Sequence, residues 1–247
     1  MDKIRVSAVS YLNSIPFVYG LENSFVKSKI ELTLDIPSEC AKKLLDNQVD
    51  LGLVPVAIIP QLKFSEIISP FCIGANGPVE TVCLFSQVPL DEIKEIQLDF
   101  HSNTSVQLVQ LLSKKYWNID PKFNHTKEGF ENNLKGKKAG VIIGDRAYQY
   151  RDQFKYKYDL PEEWKKYTGL PFVFACWVAN KPLSESFKQS FVKALHYGLK
   201  RLDLSLDAKG MNFRTSINQK RYLTEVISYD LDTEKKQALA LFLKQIS

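Results

Sequence analysis

Two short polar stretches lie where a predicted strand is followed by a predicted helix. They are Ser10-Tyr11-Leu12-Asn13-Ser14 and His101-Ser102-Asn103-Thr104-Ser105. The first turn of a helix leaves backbone N–H groups free, and hydroxyl and amide side chains add further donors. Open α/β sheets bind their ligands at this carboxyl edge of the strands. We therefore expect the two stretches to converge on one small anionic ligand.

Helix capping explains part of the same pattern. Asn13 or Ser14 is suited to cap the helix that follows, and Pro16 fits its first turn. Thr104 or Ser105 is suited to cap the second helix in the same way. For Asn13, the stretch alone favours a capping role over a ligand role.

The segments before residue 60 predict a parallel sheet. Apolar residues alternate or run together at 4–9, 30–36 and 50–56, as in strands that enter a core. Between them lie helices with apolar side chains on one face, and Ser38 is placed to cap the second of these. The order β-α-β-α-β is typical of parallel sheets.

The same order of strand, polar turn and helix starts again at residue 95. The strands at 82–86 and 171–178 are expected to cross between two α/β lobes. This plan predicts a two-lobed, periplasmic-binding-protein-like α/β fold of type II, with a central ligand cleft and two hinge strands. The predicted lobes are residues 1–86 plus 175–247 and residues 87–174.

The remaining segments predict packing rather than chemistry. Residues 148–168 form a polar segment rich in Lys, Tyr and Glu. Amphipathic helices begin at residue 184 and at residue 232 or 233, each with apolar residues at helical spacing. We assign no chemical role to either helix.

Composition excludes several classes of protein. The chain has 247 residues, of which 45% are hydrophobic and 25% charged, and its net charge is +5. Lysines interspersed with glutamates are typical of a solvated surface, so no nucleic-acid partner is expected. No apolar run reaches the length of a membrane span, which takes about 20 residues, and residues 1–4 are followed directly by a strand. We expect a cytoplasmic protein without a membrane partner; the oligomeric state is not predicted.

Metal-binding and nucleotide-binding motifs are missing from the sequence. The four cysteines form no C-x-x-C pair and lie in apolar surroundings, as expected for reduced core thiols. The three histidines are far apart in sequence and form no H-x-x-x-H motif. The sequence predicts no metal site and no cofactor.

Six motifs in this chain resemble the chorismate dehydratase family. They are Ser10-Tyr11-Leu12-Asn13 with Pro16, residues 50–57, Gly77-Pro78-Val79 before Leu84-Phe85-Ser86, Leu98-Asp99 with Ser102, Thr104 and Ser105, Ile143-Gly144-Asp145, and Trp164 with residues 169–175. The resemblance runs in order from Arg5 to about Trp177, with weaker support beyond. It implies a two-lobed enzyme that opens the futalosine route to menaquinone.

The resemblance implies a hydro-lyase whose substrate is the dicarboxylate chorismate. The product is 3-[(1-carboxyvinyl)oxy]benzoate, and the family uses no metal or redox cofactor. A proton leaves the ether-bearing ring carbon, hydroxide leaves its neighbour, and aromatisation makes the step downhill. Such a site must bind two carboxylates, orient the ring and stabilise developing charge.

The resemblance also implies the site residues. Asn13 and Ser86 match the family's catalytic positions, although neither is a strong base. The substrate's own side-chain carboxylate is thought to assist proton removal in the family. The substrate-binding residues are expected to be Ser10, Tyr11, Pro55, Val56, Ser102, Asn103, Thr104, Ser105, Gly144 and Asp145. For Asp145, helix capping with the side chain in solvent explains the position equally well, and His101 is expected to be a loop residue.

Three other functions fit parts of the sequence. A solute-binding protein for a small carboxylate would use the same cleft without chemistry, and the missing export signal argues against it. The effector domain of a regulator would need a helix-turn-helix segment, and none precedes Ile4. The sister enzyme 1,4-dihydroxy-6-naphthoate synthase carries a His where this chain has Gly144-Asp145, which argues against that activity.

Overall fold

The computed structural model describes residues 3–207 and 218–246 as two β-sheets flanked by helices. The strands are β1 (Ile4–Val9), β2 (Ile30–Asp35), β3 (Leu51–Pro55), β4 (Glu66–Ala75), β5 (Val82–Ser86), β6 (Glu95–Leu98), β7 (Lys122–His125), β8 (Lys138–Ile143), β9 (Tyr156–Asp159), β10 (Phe172–Ala179) and β11 (Ser228–Asp230). The helices are α1 (Ile15–Glu22), α2 (Pro37–Leu45), α3 (Thr104–Lys115), α4 (Asp145–Tyr150), α5 (Leu160–Thr168), α6 (Glu185–Leu199), α7 (Leu202–Asp207), α8 (Gln219–Arg221) and α9 (Thr233–Ile246).

The first sheet has the strand order β11-β4-β10-β3-β1-β2. Strand β1 pairs in parallel with β2 and β3, so the predicted β-α-β-α-β order is confirmed. Strand β10 lies antiparallel between β3 and β4. Its residues Trp177 and Val178 are fully buried, which accounts for the continuous apolar run in the sequence.

The second sheet has the strand order β7-β6-β8-β5-β9. Strand β6 pairs in parallel with β7 and β8, whereas β5 pairs antiparallel with β8 and β9. The prediction that 82–86 is a hinge strand of the first lobe is therefore wrong. Hydrogen bonding to a neighbour on each side makes β5 an interior strand of the second sheet.

The chain passes between the sheets twice, at residues 76–81 and 169–171. The first connection joins β4 to β5, and the second joins α5 to β10. We propose that the two lobes divide at these connections, which moves the predicted boundaries by about five residues. Strand β10 then belongs wholly to the first lobe, because it pairs only with β3 and β4 among the described strands.

Two of the predicted helix caps are not formed. Helix α1 has Ser14 at its N-cap position without a side-chain bond, because the Ser14 hydroxyl donates to the carbonyls of Val9 and Tyr11. Helix α2 is preceded by Ile36, and Ser38 lies inside it. The cap at Ser184 is present: its hydroxyl accepts from the Phe187 N–H at 3.3 Å.

The polar segment 148–168 contains the end of α4, strand β9 and helix α5. Strand β9 alternates half-buried and exposed residues at a sheet edge, and α5 buries Leu160 and Trp164 beneath a charged face. All four cysteines are buried and free, as expected for core thiols. Within the described part of the chain, none of the helices is long and apolar enough to cross a membrane.

Candidate active site

The two polar stretches meet at a cavity of about 70 Å³ between the two sheets. The lining residues are Val9, Tyr11, Asn13, Pro37, Pro55, Ile73, Thr81, Val82, Ser102, Thr104, Ser105, Ile143, Gly144, Phe174, Ala175, Tyr222 and Ile227. No lysine, arginine, histidine or carboxylate occurs among these residues. An anion in this cavity would therefore be held by hydroxyl, amide and backbone N–H donors.

Asn13 supplies the clearest open hydrogen-bonding group of the cavity. It lies in the 3-10 turn Leu12–Ser14 that follows β1. Its main-chain carbonyl accepts from the Tyr229 hydroxyl at 2.9 Å. Its side-chain oxygen Oδ1 is buried and has no hydrogen-bond partner among the described residues. Because an unsatisfied buried acceptor costs about 1–3 kcal/mol, this atom is expected to bind a donor on a ligand.

Thr81 and Tyr222 are site residues that the sequence reasoning missed. Their hydroxyls are 3.0 Å apart, and both residues line the cavity. Burial raises the pKa of Tyr222, and the hydrogen bond with Thr81 opposes this shift only in part, so the phenol stays protonated. Thr81 is a polar residue at the start of an apolar predicted strand, which was a usable signal. Tyr222 lies between the two amphipathic helices predicted in the C-terminal part, where the sequence offered no motif.

The second polar stretch forms the N-terminus of α3. The Ser102 hydroxyl accepts from the Ser105 N–H at 2.9 Å, so Ser102 caps the helix instead of Thr104 or Ser105. The Thr104 hydroxyl accepts from the Ala57 N–H at 3.3 Å and donates to the Phe174 carbonyl at 3.1 Å. Thr104 thus connects the second lobe to the first. Ser105 also lines the cavity.

A buried ion pair stabilises the second polar stretch. The Asp99 carboxylate is fully buried and accepts from Arg146 at 2.6 and 2.7 Å. It also accepts from the backbone N–H of His101 at 2.9 Å and of Ile143 at 2.8 Å. Arg146 forms a second ion pair with Glu131. These bonds fix the turn after β6 against the end of β8.

Tyr11 and His101 join the two lobes at the edge of the cavity. The Tyr11 hydroxyl and His101 Nδ1 are 2.6 Å apart, and the rings stack. Burial, and then the nearby Arg146 charge, lower the pKa of His101, so the imidazole is neutral. Gly144 has φ +67°, and an added Cβ would lie 2.8 Å from the Tyr11 ring. A side chain at Gly144 would therefore separate the lobes.

The structure brings some of the predicted site residues together and places others elsewhere. The cavity is lined by Tyr11, Asn13, Pro55, Ser102, Thr104, Ser105 and Gly144. The residues Ser10, Val56, Ser86, Asn103 and Asp145 do not line it. The interpretation of His101 as a plain loop residue is incomplete, since His101 binds Tyr11.

Ser86 lies at the wrong end of its strand for a catalytic role. Val82, the first residue of β5, lines the cavity. Ser86 lies four residues further along the strand, a distance of roughly 13 Å at the rise of a β-strand. Its hydroxyl is fully buried and accepts from the Val88 N–H at 3.1 Å. The hydroxyl that this strand region presents to the cavity belongs to Thr81.

Asp145 begins α4 behind the cavity lining. Burial raises the pKa of this carboxyl to about 6, and a hydrogen bond from the backbone N–H of Leu12 opposes the shift. Asp145 is half-buried, and no side-chain cap bond forms at the start of α4, so the alternative of a solvent-facing cap is not supported.

Comparison with known proteins places the chain in a family. The model of the family described as menaquinone biosynthesis matches residues 4–247. Chorismate dehydratase of Campylobacter jejuni is 26% identical over 251 residues, which cover 96% of this chain and 94% of that protein. Chorismate dehydratase of Thermus thermophilus is 28% identical over 187 residues, which cover 68% of each protein.

Solved structures share the fold at low sequence identity. A protein from Archaeoglobus fulgidus has a TM-score of 0.77 and 15% identity, covering 98% of this chain and 96% of that one. A Candida albicans protein with the generic periplasmic binding protein fold has a TM-score of 0.68 and 14% identity over 98% and 90% of the two chains. The predicted two-lobed, periplasmic-binding-protein-like fold is confirmed. With a family match that spans all but the first three residues, the chain belongs to the menaquinone biosynthesis family.

Proposed function

We propose that the protein is a chorismate dehydratase. It removes water from chorismate to give 3-[(1-carboxyvinyl)oxy]benzoate, the first step of the futalosine route to menaquinone. The observation that carries the proposal is the interlobe cavity in which Asn13 Oδ1 is buried without a partner. Family membership and the two relatives named chorismate dehydratase support it. A cytoplasmic location belongs to the same proposal.

The neutral lining suits a dianionic substrate that supplies its own base. A proton leaves the ether-bearing carbon, its electron pair spreads into the ring carboxylate, and hydroxide leaves the adjacent carbon. The phenols of Tyr11 and Tyr222 have raised pKa values, so they act as donors and not as bases. Proton removal is therefore assigned to the substrate's side-chain carboxylate, at the general-base distance of about 3 Å.

The donors of the cavity have separate tasks. The free N–H groups at the start of α3 and the Ser105 hydroxyl bind a carboxylate, aided by about 0.3–1 kcal/mol from the helix dipole. Asn13 Oδ1 accepts a hydrogen bond from the ring hydroxyl, which orients it as the leaving group. Pro55 and Phe174 pack against the ring. The buried, water-poor setting strengthens each of these interactions.

The cavity volume implies a conformational step. A volume of about 70 Å³ is well below the roughly 300–1,000 Å³ of ligand pockets. The contacts Tyr11–His101 and Thr104–Phe174 close the cleft across the lobes. The substrate enters when these contacts open, and the lobes close again around it.

Incubation of the purified protein with chorismate tests this function. The cyclohexadiene absorption is expected to disappear while mass spectrometry finds an aromatic product one water lighter. Addition of a chelator should leave the rate unchanged. Chorismate that persists at high protein concentration would contradict the proposal.

A solute-binding function is the second candidate, because the fold is shared with binding proteins such as the aliphatic sulphonate binding protein of Escherichia coli, at a TM-score of 0.61 and 14% identity over 100% of this chain and 86% of that one. Calorimetry separates the two functions. A binding protein would return chorismate unchanged after saturation, whereas the enzyme would release product.

A further inference from the structure

The connection between β4 and β5, residues 76–81, contains a residue with an unusual backbone. Glu80 has φ +61°, in the left-handed region that residues other than glycine rarely adopt. Such a conformation persists only where neighbouring groups hold it, and it occurs often at functional sites. The next residue, Thr81, is 2% exposed and lines the cavity. The turn at Glu80 therefore sets the position of a residue in the cavity lining.

A buried carboxylate of the second lobe holds this turn. Asp159 is the last residue of β9 and is 5% exposed. Its Oδ2 atom accepts from the backbone N–H groups of Val79 at 3.0 Å and of Glu80 at 2.7 Å. Hydrogen bonds to an ionised acceptor are about twice as strong as those between neutral groups. Because the two donors belong to consecutive residues, the carboxylate fixes the backbone of the connection.

The two oxygens of Asp159 have different partners. Oδ1 accepts from the Glu162 N–H at 3.3 Å and caps α5. Oδ2 binds the connection, and the Cys83 thiol lies 3.7 Å from the same oxygen. A cap needs one acceptor oxygen, which a serine hydroxyl supplies about as well as a carboxylate does. Capping therefore accounts for Oδ1 but leaves the role of Oδ2 to the connection between the lobes.

Thr81 is also held on the side away from Glu80. Its carbonyl accepts from the Gly144 N–H at 2.8 Å, and its hydroxyl lies 3.0 Å from the Tyr222 hydroxyl. We propose that Asp159 is a positioning residue, which acts through the Glu80 turn to place the Thr81 hydroxyl in the cavity lining. This inference rests on the proposed dehydration, because its effect is measured as turnover of chorismate.

The variant Asp159→Ser keeps a capping oxygen and removes the one that binds the connection. We expect kcat to fall roughly 10-fold to 100-fold with little change in KM, since misplacement by about 1 Å costs up to about 10². Asp159→Asn retains an acceptor oxygen for the connection, so it should recover part of the lost kcat. Asp232→Ser is the matched control. Asp232 accepts from the Lys235 N–H at 2.8 Å at the start of α9 and does not line the cavity, so turnover should equal that of the wild type.

A double-mutant cycle separates positioning from general destabilisation. In a Thr81→Val background, Asp159→Ser should cause little further loss of turnover, because the hydroxyl that it positions is gone. Equal losses in both backgrounds would show a merely structural role and overturn the inference. Unchanged turnover in Asp159→Ser would overturn it as well.

Nuclear magnetic resonance tests the same inference without turnover. The backbone N–H signals of Val79 and Glu80 should shift in Asp159→Ser, and their hydrogen exchange should become faster, because their acceptor is gone. Both signals should stay in place in Asp232→Ser. Signals and exchange rates that do not change in Asp159→Ser would contradict the positioning role. Wild-type protein that leaves chorismate intact, in a chain whose signals respond as expected, would refute the dehydration while the contact stands.

Discussion

The turns after β1 and β6 have similar sequences but differ in which polar groups they leave open to a ligand. In the first turn, Asn13 Oδ1 is buried without a partner. In the second, the Asp99 carboxylate, the Ser102 hydroxyl and the Thr104 hydroxyl all bind other protein groups. The first turn thus keeps a group for the ligand, whereas the second offers mainly backbone N–H groups. Residue type at a turn does not decide this; the neighbours do.

A substitution at Asp99 is expected to have the largest effect on the stability of the second turn. Asp99→Asn removes the charge partner of Arg146 in a buried site, and we expect the free energy of unfolding to fall by about 3 kcal/mol in urea titrations. Glu95→Gln, at the start of the strand that precedes Asp99, is the control. Its pair with Lys138 is half-exposed with an N–O distance of 3.6 Å, so the loss should stay below about 1 kcal/mol. Equal losses of unfolding free energy in Asp99→Asn and Glu95→Gln would contradict a structural role for the second turn.

Gly144→Ala tests the closed arrangement of the two turns. Gly144 has φ +67° and ψ −157°, a region open essentially to glycine, and its Cα faces the Tyr11 ring. We expect a loss of about 1–3 kcal/mol in unfolding free energy and a larger radius in small-angle scattering. Gly136→Ala is the control: its φ is +59°, but no atom lies within 4 Å of an added Cβ. An equal change of radius in Gly144→Ala and Gly136→Ala would contradict a role of Gly144 in keeping the lobes closed.

The sequence predicted the two-lobed fold because apolar periodicity and turn residues report local structure directly. The same local patterns indicated that the two polar turns share a site, although Ser10 and Asn103, which the resemblance also implied, do not line the cavity. It misplaced Ser86, because strand polarity relative to the cavity depends on pairing between β5, β8 and β9. Tyr222 was missed because its neighbours in space, Asn13 and Thr81, are more than 140 residues away in the chain.

Thr104→Val measures how much the second turn contributes to joining the lobes. The change keeps the shape but removes bonds to the Ala57 N–H and the Phe174 carbonyl. We expect unfolding free energy to fall by about 1–2 kcal/mol, with substrate affinity reduced less than in Ser105→Ala. Calorimetry in which Thr104→Val loses more affinity than Ser105→Ala would assign Thr104 to the ligand.

Substitution of Asp145 is expected to change the unfolding free energy least, and the change should depend on pH. Its pKa is about 6 in the folded protein and 3.8 as a free side chain, so the native state favours the protonated form. Stability from this group is complete below pH 3.8 and is lost as the pH rises through 6. Asp145→Asn should exceed the wild type by about 1 kcal/mol above pH 7 and equal it below pH 4. A constant difference at all pH values would contradict this assignment.

Turnover of chorismate by Asn13→Asp tests the contrast between the two turns most directly. Asp keeps the shape of Asn but brings a negative charge against a dianionic substrate. We predict normal thermal unfolding and a rate about 10²–10³ lower than that of the wild type, measured by loss of cyclohexadiene absorption. A variant that matches the wild-type rate would contradict the assignment of Asn13 to the chemistry.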